Sequence, residues 1–207
     1  MTTDLQVLLG VLATAVLSMP VYVLTGASKR PDALASGAQG TFVLGSFVRS
    51  WFYWTVSPVV RASLAVGLGP TFYNLLGVAF GIGAGVAFAS GNVTLGGWGV
   101  LLGGMADVLD GRIARAGGLA DARGVFLDST LDRFAEIGAF VGLAVLFRSS
   151  SFTLVVVVIA MGGSLLVSYA RARGESQGVV CKLGVMQRAE RLLLLGLGGL
   201  LDPTVSR

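Results

Sequence analysis

Residues 107–132 read DVLDGRIARAGGLADARGVFLDSTLD. This stretch puts Asp107, Asp110, Asp128 and Asp132 at the edges of two apolar runs. Bare charge is costly there, since inserting an aspartate at the centre of a membrane helix costs about 2.5–3.5 kcal/mol. Asp107 and Asp110 are three positions apart and Asp128 and Asp132 four, so on helices each pair shares one face. A linker rich in Gly, Ala and Arg lies between the pairs. Two helices meeting at that linker would gather all four carboxylates around one point.

Such a point attracts cations. Crowded carboxylates repel one another, and two divalent ions carry enough charge to neutralise four of them. Oxygen-only ligands suit Mg²⁺, Mn²⁺ or Ca²⁺. The chain has no histidine and one cysteine, Cys181, a poor set for zinc or haem. Mg²⁺ usually works beside phosphate oxygens, so paired metals on carboxylates point to phosphoryl transfer.

The spacing is more specific than the composition. Asp107-x-x-Asp110-Gly111-x-x-Ala114-Arg115, eight further residues, then Gly124-x-x-x-Asp128-x-x-x-Asp132 resembles the signature of the CDP-alcohol phosphotransferase family, also called CDP-alcohol phosphatidyltransferases. The resemblance extends over roughly residues 44–201. It implies an integral membrane enzyme that moves a phosphatidyl or similar group from a CDP-linked donor to an alcohol and releases CMP. It further implies that Asp107, Asp110, Asp128 and Asp132 hold two Mg²⁺ or Mn²⁺ ions, with Asp132 also the general base on the acceptor hydroxyl. Gly111, Ala114 and Gly124 would let the nucleotide approach backbone, and Arg115 would serve its pyrophosphate or one of the aspartates. The family often has Pro-Asn-x-x-Thr at the start of its first core helix. Here the stretch is Pro70-Thr71-Phe72-Tyr73-Asn74, so Asn74 and Thr71 either contact the nucleotide or cap the helix.

The rest of the chain fits a membrane setting. Over half of its 207 residues are hydrophobic (54%), 13% are charged, and the mean hydropathy is +0.81, beyond the usual soluble range. The net charge of +4 suits an anionic lipid surface or a nucleotide. The basic residues are scattered between apolar runs, which argues against nucleic-acid binding. A single cysteine excludes an internal disulfide.

These features predict an all-α polytopic membrane bundle of about six transmembrane helices, with an amphipathic interfacial helix near the N-terminus. Residues 5–25 are an apolar run with Pro20 inside; no basic residue precedes it and no clear cleavage site follows, so it reads as an added helix rather than a signal peptide. With the polar loop 26–40, which carries Lys29 and Arg30, it forms an N-terminal addition (1–40) to a catalytic membrane domain (41–207). Residues 41–66 mix Arg49 and Arg61 with Trp51, Phe52, Tyr53 and Trp54, the composition of an interfacial helix, with a break expected before Pro58. Core spans are expected at about 71–90, 93–109, 125–147, 152–171 and 192–201. That is five where the resemblance implies six, so the last position is expected to be unfilled. Gly77, Gly81 and Gly85, with Gly83 adding to them, form a face for close helix approach, and such faces fit a homodimer.

Most Lys and Arg fall in the loops near 26–40, 111–123 and 171–191. The positive-inside rule makes these cytoplasmic and turns the aspartates toward the cytoplasm from the inner membrane. Ser168, Arg188 and Arg191 lie at the same ends of later spans. The pattern SYARARGE followed by QRAERLL resembles the subgroup that makes phosphatidylinositol phosphate, in which a Ser and Arg residues hold the acceptor's phosphate. The expected substrates are therefore CDP-diacylglycerol and a phosphorylated polyol such as inositol phosphate, with glycerol 3-phosphate the next acceptor. Positive-inside anchoring is the plainer role for these arginines. Asp121 reads as a solvated loop residue. An intramembrane cation transporter using the same aspartates is the rival of a different class, and an inert homologue acting as a membrane partner is a third reading.

Overall fold

The protein's structure, a computed structural model, describes residues 3–26, 45–179 and 188–201. The regular elements there are all helices: α1 (Thr3–Leu24), α2 (Gly45–Ala65), α3 (Pro70–Ala89), α4 (Val93–Ala116), α5 (Ala122–Leu146), α6 (Ser151–Ser176) and α7 (Arg188–Leu200). The all-α expectation holds for the described residues. The loop with Lys29 and Arg30, the start of the expected interfacial helix, and Cys181, Lys182 and Gln187 lie outside them.

Helix starts have local causes. Pro70 opens α3 at its first turn, where a missing N–H costs nothing. Asn92, Asp121 and Ser150 cap α4, α5 and α6, each side-chain oxygen accepting from a backbone N–H three residues on. Gly118, at φ +64°, makes the turn between α4 and α5. α4 runs past its expected end at 109 through Ala116. Much of the expected linker is therefore helix, because RIARA is rich in good helix formers and Ile113 is wholly buried. Residues 117–121 alone join the two metal-ligand candidates' helices.

The expected break before Pro58 does not occur, and α2 passes through it. Pro58 cannot donate to the carbonyl of Trp54, but Ser57 Oγ donates to that oxygen at 2.8 Å and satisfies it. Val56, Val60 and Ser63 are buried along one side of α2, Trp51 is buried on another side where α1 meets it, and Thr55 and Arg61 are exposed. Val56 and Val60 join Tyr73, Leu109 and Ile113 in a core that sits directly under the C-terminal half of α4. A second core, around Ala84, Phe88, Val100 and Leu143, joins α3, α4 and α5.

Small residues set how closely these helices pack. A Cβ on Gly85 would strike the Gly138 carbonyl, and one on Gly142 would strike Gly85's. Gly81 faces Ala135 in the same way, and Gly97 of α4 meets Gly196 and Gly199 of α7. The expected face at Gly81 and Gly85 is thus used inside the chain, against α5, rather than for a second copy. Gly83 does not belong to it and faces open space. The helix period explains this: 81 and 85 share a side that 83 does not.

The N-terminal helix is tied to α2. Trp51 Nε1 donates to Ser18 Oγ at 2.9 Å, and the Tyr22 ring lies 5.5 Å from that of Trp54. α6 leans on α5 and fully buries only Val157 and Ser164. Among the described residues, α3 and α6 are long and apolar enough to cross a membrane; α1 contributes a shorter apolar stretch, Leu9–Leu24.

Candidate metal centre

Asp107 and Asp110 project from the C-terminal half of α4, and Asp128 from the second turn of α5. One carboxylate oxygen from each lies within 4.8 Å of the other two. Asp110 is buried, and Asp107 and Asp128 are half-buried. Three like charges this close are unfavourable unless cations share the space. Asp128 Oδ1 is buried without a hydrogen-bond partner among the described residues, and an unsatisfied buried carboxylate oxygen is costly. Hard oxygen donors plus an orphaned oxygen fit a divalent ion of the Mg²⁺ or Mn²⁺ kind.

Asp132, a turn further along α5, is engaged differently. Arg188, the first residue of α7, donates Nη1 to Asp107 Oδ1 at 2.8 Å and also to Asp132 Oδ2. Arg133 Nη1 lies 3.7 Å from the same Asp132 oxygen. Arg188 therefore bridges the two acidic helices. Sequence reasoning placed it at the acceptor's phosphate, and it stands on the rim of the carboxylate cluster itself. Arg191 follows one turn on and is half-buried. Ser168 is half-buried on α6, four residues past Ser164 and on its face.

The nucleotide candidates have local roles as well. The Arg115 guanidinium lies over Gly111, whose added Cβ would come within 3.3 Å of it. Ala114 and Arg115 are half-buried on α4. Gly124 is exposed, and a Cβ there would sit 2.9 Å from the Asp121 oxygen that accepts from Gly124 N at 2.6 Å. Asp121 is thus the cap of α5 rather than only a solvated loop charge. Asn74 is buried within α3, past its cap, and its Oδ1 has no hydrogen-bond partner among the described residues; Thr71 is exposed. Capping therefore does not account for Asn74. Arg112 is buried with its guanidinium 4.4 Å from the Tyr53 ring centroid, a cation–π contact that joins α4 to α2.

One buried carboxylate escaped sequence reasoning. Glu136 is 4% exposed and accepts a hydrogen bond from Ser164 Oγ of α6. It stands four residues after Asp132, so α5 carries an acidic stripe of Asp128, Asp132 and Glu136. The signal was available as a lone carboxylate in the apolar run FAEIGAF, on the aspartates' face. A cavity of about 30 Å³ opens between α3, α4, α5 and α7, with Asp132, Glu136 and Arg188 in its wall.

A family model described as CDP-alcohol phosphatidyltransferase matches residues 67–202. Archaetidylinositol phosphate synthase of Methanothermobacter thermautotrophicus is 35% identical over 149 residues, covering 69% of this chain and 74% of that protein. Phosphatidylinositol phosphate synthase of Mycobacteroides abscessus is 34% identical over 160 residues, covering 75% and 73%. The crystal structure of Mycobacterium tuberculosis phosphatidylinositol phosphate synthase with CDP-DAG bound superposes with a TM-score of 0.63 at 30% identity, covering 72% of this chain and 78% of that one. The same enzyme in complex with manganese and citrate gives 0.64 at 30% identity, covering 72% and 74%.

Proposed function

Because the chain belongs to the CDP-alcohol phosphatidyltransferase family, we propose that it transfers the phosphatidyl group of CDP-diacylglycerol to a hydroxyl of inositol phosphate and releases CMP. The observation that carries this reading is the meeting of the Asp107, Asp110 and Asp128 oxygens within 4.8 Å, with Arg188 at their edge. The names of the relatives support the acceptor: those quoted make phosphatidyl- or archaetidylinositol phosphate. Glycerol 3-phosphate remains the acceptor to compare.

Asp107, Asp110 and Asp128 would hold two divalent ions, Mg²⁺ or Mn²⁺, with Asp132 completing the set. Ions bound there would supply positive charge to the pyrophosphate and to the departing CMP. The residues of the chain do the rest. Asp132, aimed by Arg188, takes the proton of the acceptor hydroxyl. That oxygen forms a bond to the phosphorus bearing the lipid, and the bond from this phosphorus to the oxygen retained by CMP breaks. Gly111, Ala114, Arg115, Gly124 and Asn74 line the nucleotide's side, and Asn74's unpartnered oxygen would accept from an amino group or hydroxyl. Arg188, Arg191 and Ser168 receive the acceptor's phosphate, where a guanidinium fork pairs well with phosphate oxygens.

Residues 41–207 form the catalytic unit and 1–40 an N-terminal addition. About six helices cross the cytoplasmic membrane, with α2 along its surface and the carboxylates opening to the cytoplasm, as the Lys and Arg distribution indicates. The membership and the named relatives weigh against a cation transporter or an inert homologue.

The test is an acceptor screen on purified protein with radiolabelled CDP-diacylglycerol, scored by lipid product. Metal-dependent product with inositol phosphate, exceeding that with glycerol 3-phosphate, supports the reading. Product from glycerol 3-phosphate alone would reassign the acceptor, and no CMP release with any alcohol would remove the activity.

A further inference from the structure

Glu136 has no part in the scheme above, yet it is only 4% exposed. Burying a carboxylate is unfavourable unless its oxygens are matched. Oε1 is matched by Ser164 Oγ, on α6. Oε2 is buried and has no hydrogen-bond partner among the described residues. The side chain stands in the wall of the cavity formed by α3, α4, α5 and α7. Ser164 draws Oε1 toward α6, which is not part of that wall, so Oε2 is the oxygen left for the cavity.

Arg188 stands in the same wall with a complementary gap. Its Nη1 serves Asp107 and Asp132, while its Nε is buried with no partner among the described residues. One wall therefore carries an unmet acceptor, Glu136 Oε2, and an unmet donor, Arg188 Nε, with Asp132 beside them. Asp132 and Glu136 are one turn apart and share a face of α5. The cavity measures about 30 Å³, room for about two waters or a hydroxyl group but not for a whole ring. An ionised phosphate accepts hydrogen bonds, whereas an alcohol hydroxyl can also donate one. A molecule that fills both gaps therefore carries a phosphate and a hydroxyl at once.

We propose that Glu136 is a specificity-determining residue: its Oε2 accepts a hydrogen bond from a second hydroxyl of the phosphorylated polyol, next to the hydroxyl that Asp132 deprotonates, while Arg188 Nε holds the phosphate. The polyol rests at the cavity mouth with this one hydroxyl inside. The proposal rests on the reaction and acceptor class given above. An analogue lacking that hydroxyl leaves a buried carboxylate oxygen unmatched, and a site built around a hydroxyl discriminates strongly against such an analogue.

The experiment measures steady-state CMP release by full-length protein with inositol phosphate and with a set of analogues, each lacking one ring hydroxyl. For the unmodified protein, one analogue is expected to lose about thirtyfold in kcat/KM, as a hydrogen bond to a charged group implies. Glu136→Gln should lose a similar factor with inositol phosphate itself, then treat the parent and that analogue within about threefold of each other, because the interacting pair is already broken. Half-activating Mn²⁺ should stay within about twofold. A merely structural glutamate, or one bridged only by buried water, would lower the rate on every acceptor alike and keep the thirtyfold gap; that result would overturn the proposal, as would a shifted Mn²⁺ dependence. Should Glu136→Gln fold poorly, Ser164→Ala loosens the same carboxylate and should narrow the gap about threefold; an unchanged gap counts against the proposal. If the unmodified protein uses another phosphorylated polyol instead, such as glycerol 3-phosphate, the acceptor's identity alone fails, and the deoxy analogue of that polyol judges Glu136 in the same way. No turnover with any alcohol removes the reaction and this role with it.

Discussion

Arg188 and Asp107 stand 81 positions apart in the chain and meet at 2.8 Å. The same Arg188 nitrogen reaches Asp132, so one guanidinium pins α7 to both α4 and α5. Arg188→Gln should lower kcat/KM about a hundredfold, equivalent to roughly 2.7 kcal/mol of transition-state stabilisation. Arg188→Lys should recover only part of this, because an ammonium lacks the planar fork. CMP release by the purified variants measures both, and full activity in Arg188→Gln would remove the residue from the site.

Removing metal should stop turnover. Chelation is expected to abolish CMP release, with Mg²⁺ or Mn²⁺ restoring it. A readout without catalysis is thermal unfolding: an ion at a hundred times its Kd stabilises the folded state by about 2.7 kcal/mol. Asp110→Asn and Asp128→Asn should each lose that metal-induced rise in Tm. A rise that persists in both variants would place the ions elsewhere.

The seam between α3 and α5 predicts a sharp contrast between near neighbours. Gly85→Ala forces a methyl group into the Gly138 carbonyl and should cost about 1–3 kcal/mol or more. Gly83→Ala meets open space and should be neutral or slightly stabilising, since alanine favours helix over glycine. Denaturation midpoints of the two variants in one detergent decide the matter; equal values would contradict the packing described.

Asp121 caps α5 through the N–H of Gly124. Asp121→Ala should cost about 1 kcal/mol and lower activity modestly, because the capped turn leads directly to Asp128. Asp121→Asn, which keeps an acceptor oxygen, should restore most of the stability. Equal loss in both would mean that the charge, not the cap, is what matters.

The carboxylate cluster was legible in sequence because spacing alone fixes helix faces: three-residue and four-residue gaps needed no knowledge of tertiary structure. The all-helical class followed from long apolar runs separated by short polar loops. Other features depended on partners distant in sequence. The continuation of α2 through Pro58 turns on a Ser57 hydroxyl reaching a particular carbonyl. That α4 extends through Ala116 depends on Ile113 finding a core shared with α2. Glu136 was hidden inside an apolar run, and its meaning appears only when Ser164 and α7 stand beside it. Arg188 was expected at the acceptor's phosphate, and its carboxylate partners, Asp107 and Asp132, could not be read from a loop of basic residues.

Where Gly85 and Gly142 meet, main chain rests on main chain, with no rotatable group between the helices to absorb an error. Each position therefore holds the other hostage: neither can gain a side chain in a single mutational step unless whole helices slide apart. Drift at this joint requires concerted change on both sides, so the distance between α3 and α5 is heritable almost as a fixed dimension, while the surfaces around it remain free to diversify.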